Sequence, residues 1–209
     1  MLLTVHHLHV SQSERIVWLR EELGLTYTLK CYNRSPLFAP PEYKGLHPQG
    51  SAPTIQDTDG DQDITLAESA ACIEWICRKN AGGKLLLGPD HSAYADFLYW
   101  FHWSNGTLQP AATQLMISRS ADLEESALDD RLKDNKWLAG DEFTAADVMM
   151  GFPLTTMRYF TQLNLQEFPY IVKYIESFAE REPYQRAMQK ENPDLDLALG
   201  AESPKRALV

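Results

Sequence analysis

The chain has 209 residues, of which 44% are hydrophobic and 23% charged, and its formal net charge is −10. This length and composition are typical of one or two folded domains and exclude a largely disordered chain. The acidic balance argues against a nucleic-acid surface or a docking site for anionic lipid, because both need basic residues. No apolar run approaches about eighteen residues, and residues 1–7 lack the features of a secretory signal. We therefore expect a cytoplasmic protein with no membrane partner.

The first part of the chain predicts a strand, a helix and a second strand. Residues 2–8 are apolar and β-branched at the centre, which favours a buried strand. Residues 11–23 change to a helical period, and Gly24 follows where a glycine commonly ends a helix. Residues 27–32 alternate again as a strand does. Such a close succession predicts a βαβ unit with parallel strands.

A proline-rich crossing over residues 35–50 precedes a predicted hairpin. Two short strands, near residues 53–56 and 64–66, flank the turn-forming residues 57–61 and should pair antiparallel. Residues 68–79 then carry apolar side chains at helical spacing. The fold class predicted for this part is α/β, with a mixed four-stranded sheet and helices packed on it.

Glycine and proline interrupt the chain between residues 81 and 90, so we predict two domains, residues 1–82 and residues 90–209. No strand pattern follows Ser92, and the second domain is predicted to be all-α. Helices are expected over residues 93–116, over residues 123–133, and in three segments that begin near Thr144, Pro169 and Pro183.

The helix that begins at Thr144 has a complete start signal. Thr144 and Asp147 stand at the two positions of a capping box, and Phe143 and Val148 stand at the positions of a hydrophobic staple. This pattern carries folding information, and we assign it no catalytic role.

The cysteines and histidines follow no metal or disulfide spacing. The three cysteines are an odd number, which favours a reducing compartment, and Cys72 and Cys77 are predicted to be buried on a helix. On a strand His7 and His9 would share a face, but His6 would not. We therefore predict no metal site.

Four segments are distinctive in their order and spacing: residues 11–15 (SQSER), 47–55 (HPQGSAPTI), 66–71 (LAESAA) and 143–147 (FTAAD). Together they resemble the cytosolic glutathione transferases, and the resemblance covers nearly the whole chain. Two further segments look most like the bacterial and fungal branch of serine-type members: residues 39–44 (APPEYK) and 99–103 (YWFHW).

The resemblance implies a thioredoxin-like N-terminal domain, a helical C-terminal domain and a homodimer, with glutathione as cosubstrate and no metal. The family uses the residue just after the first strand to hold the glutathione sulfur as a thiolate, which is the nucleophilic form. A hydroxyl donor and a helix N-terminus both favour this anion.

Ser11 is the candidate catalytic residue, with two alternatives. In serine-type members the catalytic serine precedes a helix arginine by four residues, as Ser11 precedes Arg15. Ser11 and Glu14 also fit a capping box, so Ser11 could only cap the helix, and Ser13 is a second candidate donor. No tyrosine precedes the second predicted strand, and Cys31 falls within it, which argues against tyrosine- and cysteine-type sites.

The resemblance assigns further glutathione contacts to two segments. Pro53 is expected to follow a cis peptide bond, so that the backbone N–H and C=O of Ala52 meet the cysteinyl part of the ligand. Glu68 and Ser69 stand where a helix begins and are expected to bind the γ-glutamyl ammonium and carboxylate. Ser69 is also the predicted N-cap of that helix.

Lys44, Gln49 and Ser51 are the candidates for the glycyl carboxylate. Several serine-type relatives carry a histidine in place of Gly50, and the nearer branch usually has a basic residue in place of Ser51. The resemblance therefore leaves the glycyl contact open among the three candidates.

Tyr99, Trp103 and Thr107 follow one another at spacings of four on a predicted helix, and we expect them to line the electrophile pocket, with burial in the core as the alternative for each. The resemblance thus implies a glutathione transferase that acts in detoxification and adds the glutathione thiolate to small hydrophobic electrophiles. Two alternatives remain open. One is glutathione-dependent reduction of peroxides or disulfides at the same site, and the other is a glutathione-binding scaffold module without turnover.

Overall fold

The computed structural model describes residues 3–35, 37–60, 62–118, 125–161 and 163–204. The chain divides into two compact units. The first comprises Met1–Lys84 and Glu182–Leu195, and the second comprises Leu85–Arg181 and Asp196–Val209. Within the described ranges, the helices are too short or too polar to cross a membrane.

A mixed sheet of four strands forms the centre of the first unit. β1 (Leu3–Leu8) runs parallel to β2 (Thr28–Tyr32) and antiparallel to β3 (Thr54–Asp57), which pairs with β4 (Ile64–Ala67). The predicted βαβ unit and hairpin are therefore confirmed. The strand order is β2-β1-β3-β4, so the turn that follows β1 leaves from the interior of the sheet and not from an edge.

Helices account for most of the remaining structure. In chain order, the first unit contains α1 (Glu14–Glu22), α2 (Pro41–Lys44) and α3 (Ser69–Asn80), and the second contains α4 (Tyr94–Trp103), α5 (Gln109–Ser118), α6 (Glu125–Asp134), α7 (Ala145–Leu154) and α8 (Pro169–Ala179). The last helix, α9 (Glu182–Glu191), belongs to the first unit and packs on α1.

The end of α1 follows the prediction closely. Gly24 has a φ of 62°, and its N–H donates to the carbonyl of Glu21, while the N–H of Leu25 donates to the carbonyl of Arg20. These bonds form a Schellman ending, which requires a left-handed residue that glycine adopts without strain.

Three helical features differ from the sequence prediction. The proline-rich crossing contains the short helix α2, and a 3₁₀ turn, Thr156–Tyr159, follows α7. The helix predicted over residues 93–116 is two α-helices joined by a π-helical segment, Ser104–Leu108. Pro110 explains this change, because it has no N–H to donate to the carbonyl of Gly106, four residues before it. Leu123, the predicted start of the next helix, lies outside the described residues.

The start of α7 confirms the predicted capping box. Thr144 Oγ1 accepts from the N–H of Ala146 at 3.3 Å, and Asp147 Oδ2 accepts from the N–H of Thr144 at 2.8 Å. Asp147 Oδ1 also accepts from the N–H of Leu138 at 3.0 Å and from the hydroxyl of Tyr174 at 2.9 Å. Asp147 is fully buried, and this burial raises its pKa to about 6 against the opposing effect of its hydrogen bonds.

Candidate active site

A short turn joins β1 to α1 and carries Ser11. Val10, just before it, has a φ of 50°, which a β-branched residue rarely adopts. The Val10 N–H donates to Asn192 Oδ1 at 3.0 Å, and its carbonyl accepts from Arg34 Nη2 at 2.6 Å. Arg34 Nε also donates to the carbonyl of His9 at 2.9 Å. Two distant segments thus hold a strained backbone in place, and this fixes the position of Ser11.

The Ser11 side chain does not form the capping box that its sequence allows. The N-cap of α1 is Ser13, which makes no side-chain cap hydrogen bond. Ser11 Oγ accepts from the N–H of Ser13 at 3.2 Å and lies 2.7 Å from Ser13 Oγ. The capping box between Ser11 and Glu14, which was the alternative to a catalytic role for Ser11, is therefore absent, and the two serine hydroxyls form a buried pair instead.

The serine pair continues into buried polar side chains of the first unit. Ser13 Oγ accepts from the N–H of Leu8 at 3.1 Å and lies 2.9 Å from His7 Nδ1. Glu191 Oε2, on α9, lies 3.2 Å from the same nitrogen. Burial, and secondarily the charge of His9, lowers the pKa of His7 to about 3, while burial raises the pKa of Glu191 well above its usual range. His7 is consequently a neutral imidazole at neutral pH.

Gln12 and Arg15 join three predicted binding segments by hydrogen bonds. Gln12 Nε2 donates to the carbonyl of Ala52 at 2.8 Å. Arg15 Nη1 donates to Gln12 Oε1 at 3.0 Å and to Ser69 Oγ at 3.1 Å. Arg15 is fully buried, and desolvation lowers its pKa. The sequence analysis considered Arg15 only for its distance from Ser11 and did not consider Gln12. The three-residue spacing of Gln12 and Arg15, at which side chains on a helix can meet, could have indicated their contact.

The peptide bond between Ala52 and Pro53 is cis, as expected. Ala52 is 8% exposed, and its carbonyl, the acceptor of the Gln12 amide, retains a second lone pair for a ligand. The carbonyl of Ser51 accepts from Thr54 Oγ1 at 3.3 Å, which ties the bend to the start of β3.

Glu68 and Ser69 lie at the start of α3, but the predicted N-cap was wrong by one residue. Glu68 is the N-cap and has a φ of 74°, and Ser69 is the first residue of the helix. Ser69 is 1% exposed, whereas Glu68 is exposed and its Oε1 accepts from Gln49 Nε2 at 2.6 Å. Because the first N–H groups of a helix lack intrahelical partners, this end favours an anion.

The three candidates for the glycyl carboxylate lie in the segment around Gly50. Lys44 is exposed at the end of α2, and its Cγ lies 3.5 Å from the position that a Cβ on Gly50 would take. Gly50 has a φ of 62°, so a histidine there would be strained. Gln49 is exposed and already bound to Glu68, and Ser51 is half-buried. Of the three candidates, only Lys44 brings a positive charge.

The three residues predicted for the electrophile pocket differ in exposure within the second unit. Tyr99 is 54% exposed and Trp103 is 5% exposed, with its ring edge-on to Trp100 at 5.3 Å. Thr107 is exposed but lies in the π-helical segment. The α-helical spacing that placed the three on one face therefore holds from Tyr99 to Trp103 and changes before Thr107.

The cysteines do not favour a thiol nucleophile. Cys72 and Cys77 are buried in α3, as predicted, and burial raises the pKa of both thiols to about 12. Cys31 is exposed on β2, and desolvation raises its pKa as well. A reactive cysteine requires a lowered pKa. Over the described part of the chain, no group of three or more His, Cys, Asp or Glu side chains is arranged to hold a metal ion.

Comparison with known proteins identifies the family of the chain. The glutathione S-transferase N-terminal domain matches residues 11–79, and the glutathione S-transferase C-terminal domain matches residues 112–182. Glutathione S-transferase 3 of Schizosaccharomyces pombe is 32% identical over 181 residues, which cover 73% of each chain. The protein belongs to the glutathione S-transferase family.

Solved glutathione S-transferases share its fold. One from Actinobacillus pleuropneumoniae is 30% identical with a TM-score of 0.80, over 94% of this chain and 98% of that one. A glutathione transferase family member from Pseudomonas fluorescens, solved with two glutathione bound, has a TM-score of 0.70 over 89% of this chain and 92% of that one. Its identity is 20%, so this likeness concerns the fold alone. The predicted thioredoxin-like domain followed by a helical domain is confirmed.

Proposed function

We propose that this glutathione S-transferase is a serine-type enzyme of the bacterial and fungal branch, which adds the glutathione thiolate to small hydrophobic electrophiles. The hydrogen bonds of Gln12 and Arg15 carry the proposal. They connect the turn of Ser11 to Ala52 and to Ser69, which are expected to meet different parts of one bound peptide. The fold shared with a family member that was solved with two glutathione bound supports the choice of ligand.

Ser11 supplies the hydrogen bond that favours the thiolate. A free thiol, with a pKa near 8.5, is only a few per cent ionised at neutral pH. A hydroxyl donor at the N-terminus of α1 lowers the pKa of the bound thiol, because both the hydrogen bond and the helix dipole stabilise the negative sulfur. The thiolate then attacks the electrophile.

The remaining candidates hold the peptide. Ser69 Oγ accepts from Arg15, so its own proton is available to the γ-glutamyl carboxylate, and Glu68 is exposed to meet the ammonium. The backbone of Ala52, before Pro53, pairs with the cysteinyl part as an added strand would. Lys44 is the principal partner of the glycyl carboxylate, with Gln49 and Ser51 beside it in the sequence.

The two predicted domains divide the work. We assign glutathione binding to residues 1–82 and the electrophile pocket to residues 90–209, with Tyr99, Trp103 and Thr107 as its lining. The exposure of the Tyr99 ring supports a contact with an apolar substrate. We further propose a cytoplasmic homodimer that acts in detoxification. A sedimentation measurement that found only single 23.8 kDa chains at micromolar concentration would contradict the dimer.

The test compares wild type with Ser11→Ala on immobilised glutathione and in conjugation of a generic aromatic electrophile. Loss of a hydrogen bond to a charged group costs about 1.5–3 kcal/mol, or roughly ten- to more than a hundredfold in rate. The pKa of the bound thiol should rise by about one to two units, with rate partly recovered at high pH. Affinity for glutathione should change little, because the other contacts remain.

The matched control is Thr155→Ala, which removes a buried hydroxyl from the second unit, where Thr155 Oγ1 donates to the carbonyl of Gly151 at 2.8 Å. Its folded fraction should conjugate normally. Retention on glutathione without conjugation would favour the scaffold alternative, and turnover of peroxides or disulfides in place of electrophiles would favour the reductase alternative. Wild type that neither binds glutathione nor lowers its thiol pKa would exclude the proposal.

A further inference from the structure

The hydrogen bond between Ser11 and Ser13 can run in two directions, and only one leaves Ser11 able to donate to a ligand. The two oxygens lie 2.7 Å apart, and either can be the donor. If Ser11 donates to Ser13, its single proton is used within the protein. If Ser13 donates to Ser11, the proton of Ser11 remains available.

The donors around the pair limit the choice. Ser13 Oγ already accepts from the N–H of Leu8, and Ser11 Oγ already accepts from the N–H of Ser13. A hydroxyl oxygen has two lone pairs and one proton. The remaining lone pair of Ser13 therefore accepts either from His7 Nδ1 or from Ser11. The Ser13 proton can then go to whichever of these is not the donor, at 2.7–2.9 Å, or to the carbonyl of Leu8, which lies farther away at 3.4 Å. We take the shorter bond as the preferred one.

The tautomer of His7 decides between the two arrangements. His7 is fully buried, and its Nε2 makes no hydrogen bond among the described residues. The Asn192 side chain also interacts with His7, but its Oδ1 already accepts from the N–H of Val10 at 3.0 Å. A proton on Nε2 would be a buried N–H without an acceptor, which is rarer and costlier in native proteins than an unused lone pair. A proton on Nδ1 has Ser13 Oγ as its acceptor at 2.9 Å. Glu191 Oε2 lies 3.2 Å from Nδ1 without a hydrogen bond to it, and burial raises the pKa of this carboxyl and so favours its neutral form.

We propose that His7 and Ser13 are positioning residues for Ser11, with the bonds directed from His7 Nδ1–H to Ser13 and from the Ser13 hydroxyl to Ser11. Both lone pairs of Ser11 Oγ are then filled by Ser13, and its proton is left to the glutathione sulfur. This inference rests on the proposed role of Ser11 as the thiolate donor. It also gives Ser13 a function other than direct contact with the sulfur.

The first test measures the tautomer in the free protein and needs no glutathione. Histidine labelled with ¹⁵N distinguishes protonated from unprotonated ring nitrogens by NMR. The signals of His7 are assigned as those that are present in the wild-type spectrum and absent from that of His7→Gln. If that variant fails to fold, His7 is assigned as the imidazole that is still neutral near about pH 5, where exposed histidines are charged. We expect a proton on Nδ1, and a proton on Nε2 would overturn the proposal.

The second test asks whether the pKa of the bound glutathione thiol rises or falls when Ser13 is replaced. Ser13→Ala removes the donor to Ser11 but leaves the Ser11 hydroxyl. The pKa of the bound thiol should rise by about half to one unit, less than in Ser11→Ala, and kcat at neutral pH should fall about three- to tenfold. Ser13→Thr keeps the hydroxyl and should recover part of the loss, whereas Thr155→Ala should leave the thiol pKa unchanged.

The opposite direction of bonding makes the opposite prediction. If Ser11 donates to Ser13, Ser13→Ala frees the Ser11 proton, and the pKa of the bound thiol should stay or fall, which would overturn the inference. A full loss in Ser13→Ala with a normal Ser11→Ala would also overturn it and would make Ser13 the thiolate donor. Failure of the proposed function itself is seen separately, as wild type that does not bind glutathione or shift its thiol pKa.

Discussion

Two helices of this protein begin with the same short pattern, a hydroxyl residue followed three positions later by an acid, and they use it differently. At the start of α7, the side chain of Thr144 accepts from a backbone N–H of the first turn, and the side chain of Asp147 accepts from the backbone N–H of Thr144. At the start of α1, Ser11 and Glu14 do not form this box, and the Ser11 hydroxyl pairs with Ser13. The hydroxyl of the first pattern caps its helix, and the hydroxyl of the second does not; in the proposed function it is the Ser11 hydroxyl that meets the ligand.

The backbone explains the difference. Thr144 has φ −132° and ψ 175°, the extended conformation that points an N-cap oxygen at the helix N–H groups. The N-cap of α1 is instead Ser13, at φ −66° and ψ −16°, so the chain already turns before the helix begins. Val10, strained and anchored by Asn192 and Arg34, sets this turn. A capping pattern whose hydroxyl does not cap is therefore a candidate for function.

The largest expected effect is a loss of stability when the capping box of Thr144 and Asp147 is broken. Asp147→Ala removes the acceptor of four hydrogen bonds, from two backbone N–H groups and two hydroxyls. Buried donors left without partners should cost about 3–5 kcal/mol, more than a lost cap alone, in urea unfolding. The exposed neighbour variant Asp141→Ala is the control and should stay within about 0.5 kcal/mol of wild type. A loss of unfolding free energy near that of the control would contradict the role of Asp147 as a buried acceptor of several hydrogen bonds.

The same aspartate should make stability depend on pH. Burial raises its folded pKa to about 6, above the unfolded value of 3.8, so the folded state binds the proton more tightly. Its contribution to the unfolding free energy is therefore full below about pH 4 and is lost as the pH rises through about 6, by up to about 3 kcal/mol. Tyr174, its neighbour, has a strongly raised pKa and does not titrate in this window.

The measurement is urea unfolding of wild type and Asp147→Asn at several values of pH from about 4 to 7. Because groups elsewhere titrate equally in both proteins, the difference between the two curves isolates Asp147. A difference that is flat across this range, or that grows as the pH rises, would show that the hydrogen bonds to the carboxylate outweigh its burial.

The sequence predicted what depends on neighbouring residues and missed what depends on distant ones. The sheet, the hairpin, the end of α1 at Gly24 and the box at Thr144 follow from local period and turn chemistry. The pairing of Ser11 with Ser13 was not foreseen, because it depends on β1 and on Asn192, far along the chain. The π-helical segment was missed because a single proline is a weak signal within a long helical pattern.

Alanine variants of Thr144 and Ser11 should have similar effects on stability but different effects on the rate of conjugation. Thr144→Ala loses a cap, and Ser11→Ala leaves the buried N–H of Ser13 without its acceptor, so each should cost about 1 kcal/mol in unfolding free energy. Only Ser11→Ala should lose conjugation by the folded protein. A loss of rate in Thr144→Ala, measured well below its melting temperature, would mean that the helix start at α7 also supports the site.

The smallest effects should come from exchanging the two hydroxyl residues. A cap needs only an oxygen that accepts, and Thr144 is 1% exposed, so Thr144→Ser should cost only the buried methyl group, about 0.8 kcal/mol, and leave conjugation unchanged. Stabilising a thiolate needs a hydroxyl proton aimed at the sulfur, and threonine restricts χ1. In the folded Ser11→Thr protein, the pKa of bound glutathione should therefore rise by roughly half a unit. An unchanged thiol pKa in Ser11→Thr would mean that the site tolerates a redirected hydroxyl. A changed pKa in Thr144→Ser would remove the distinction between the two helix starts.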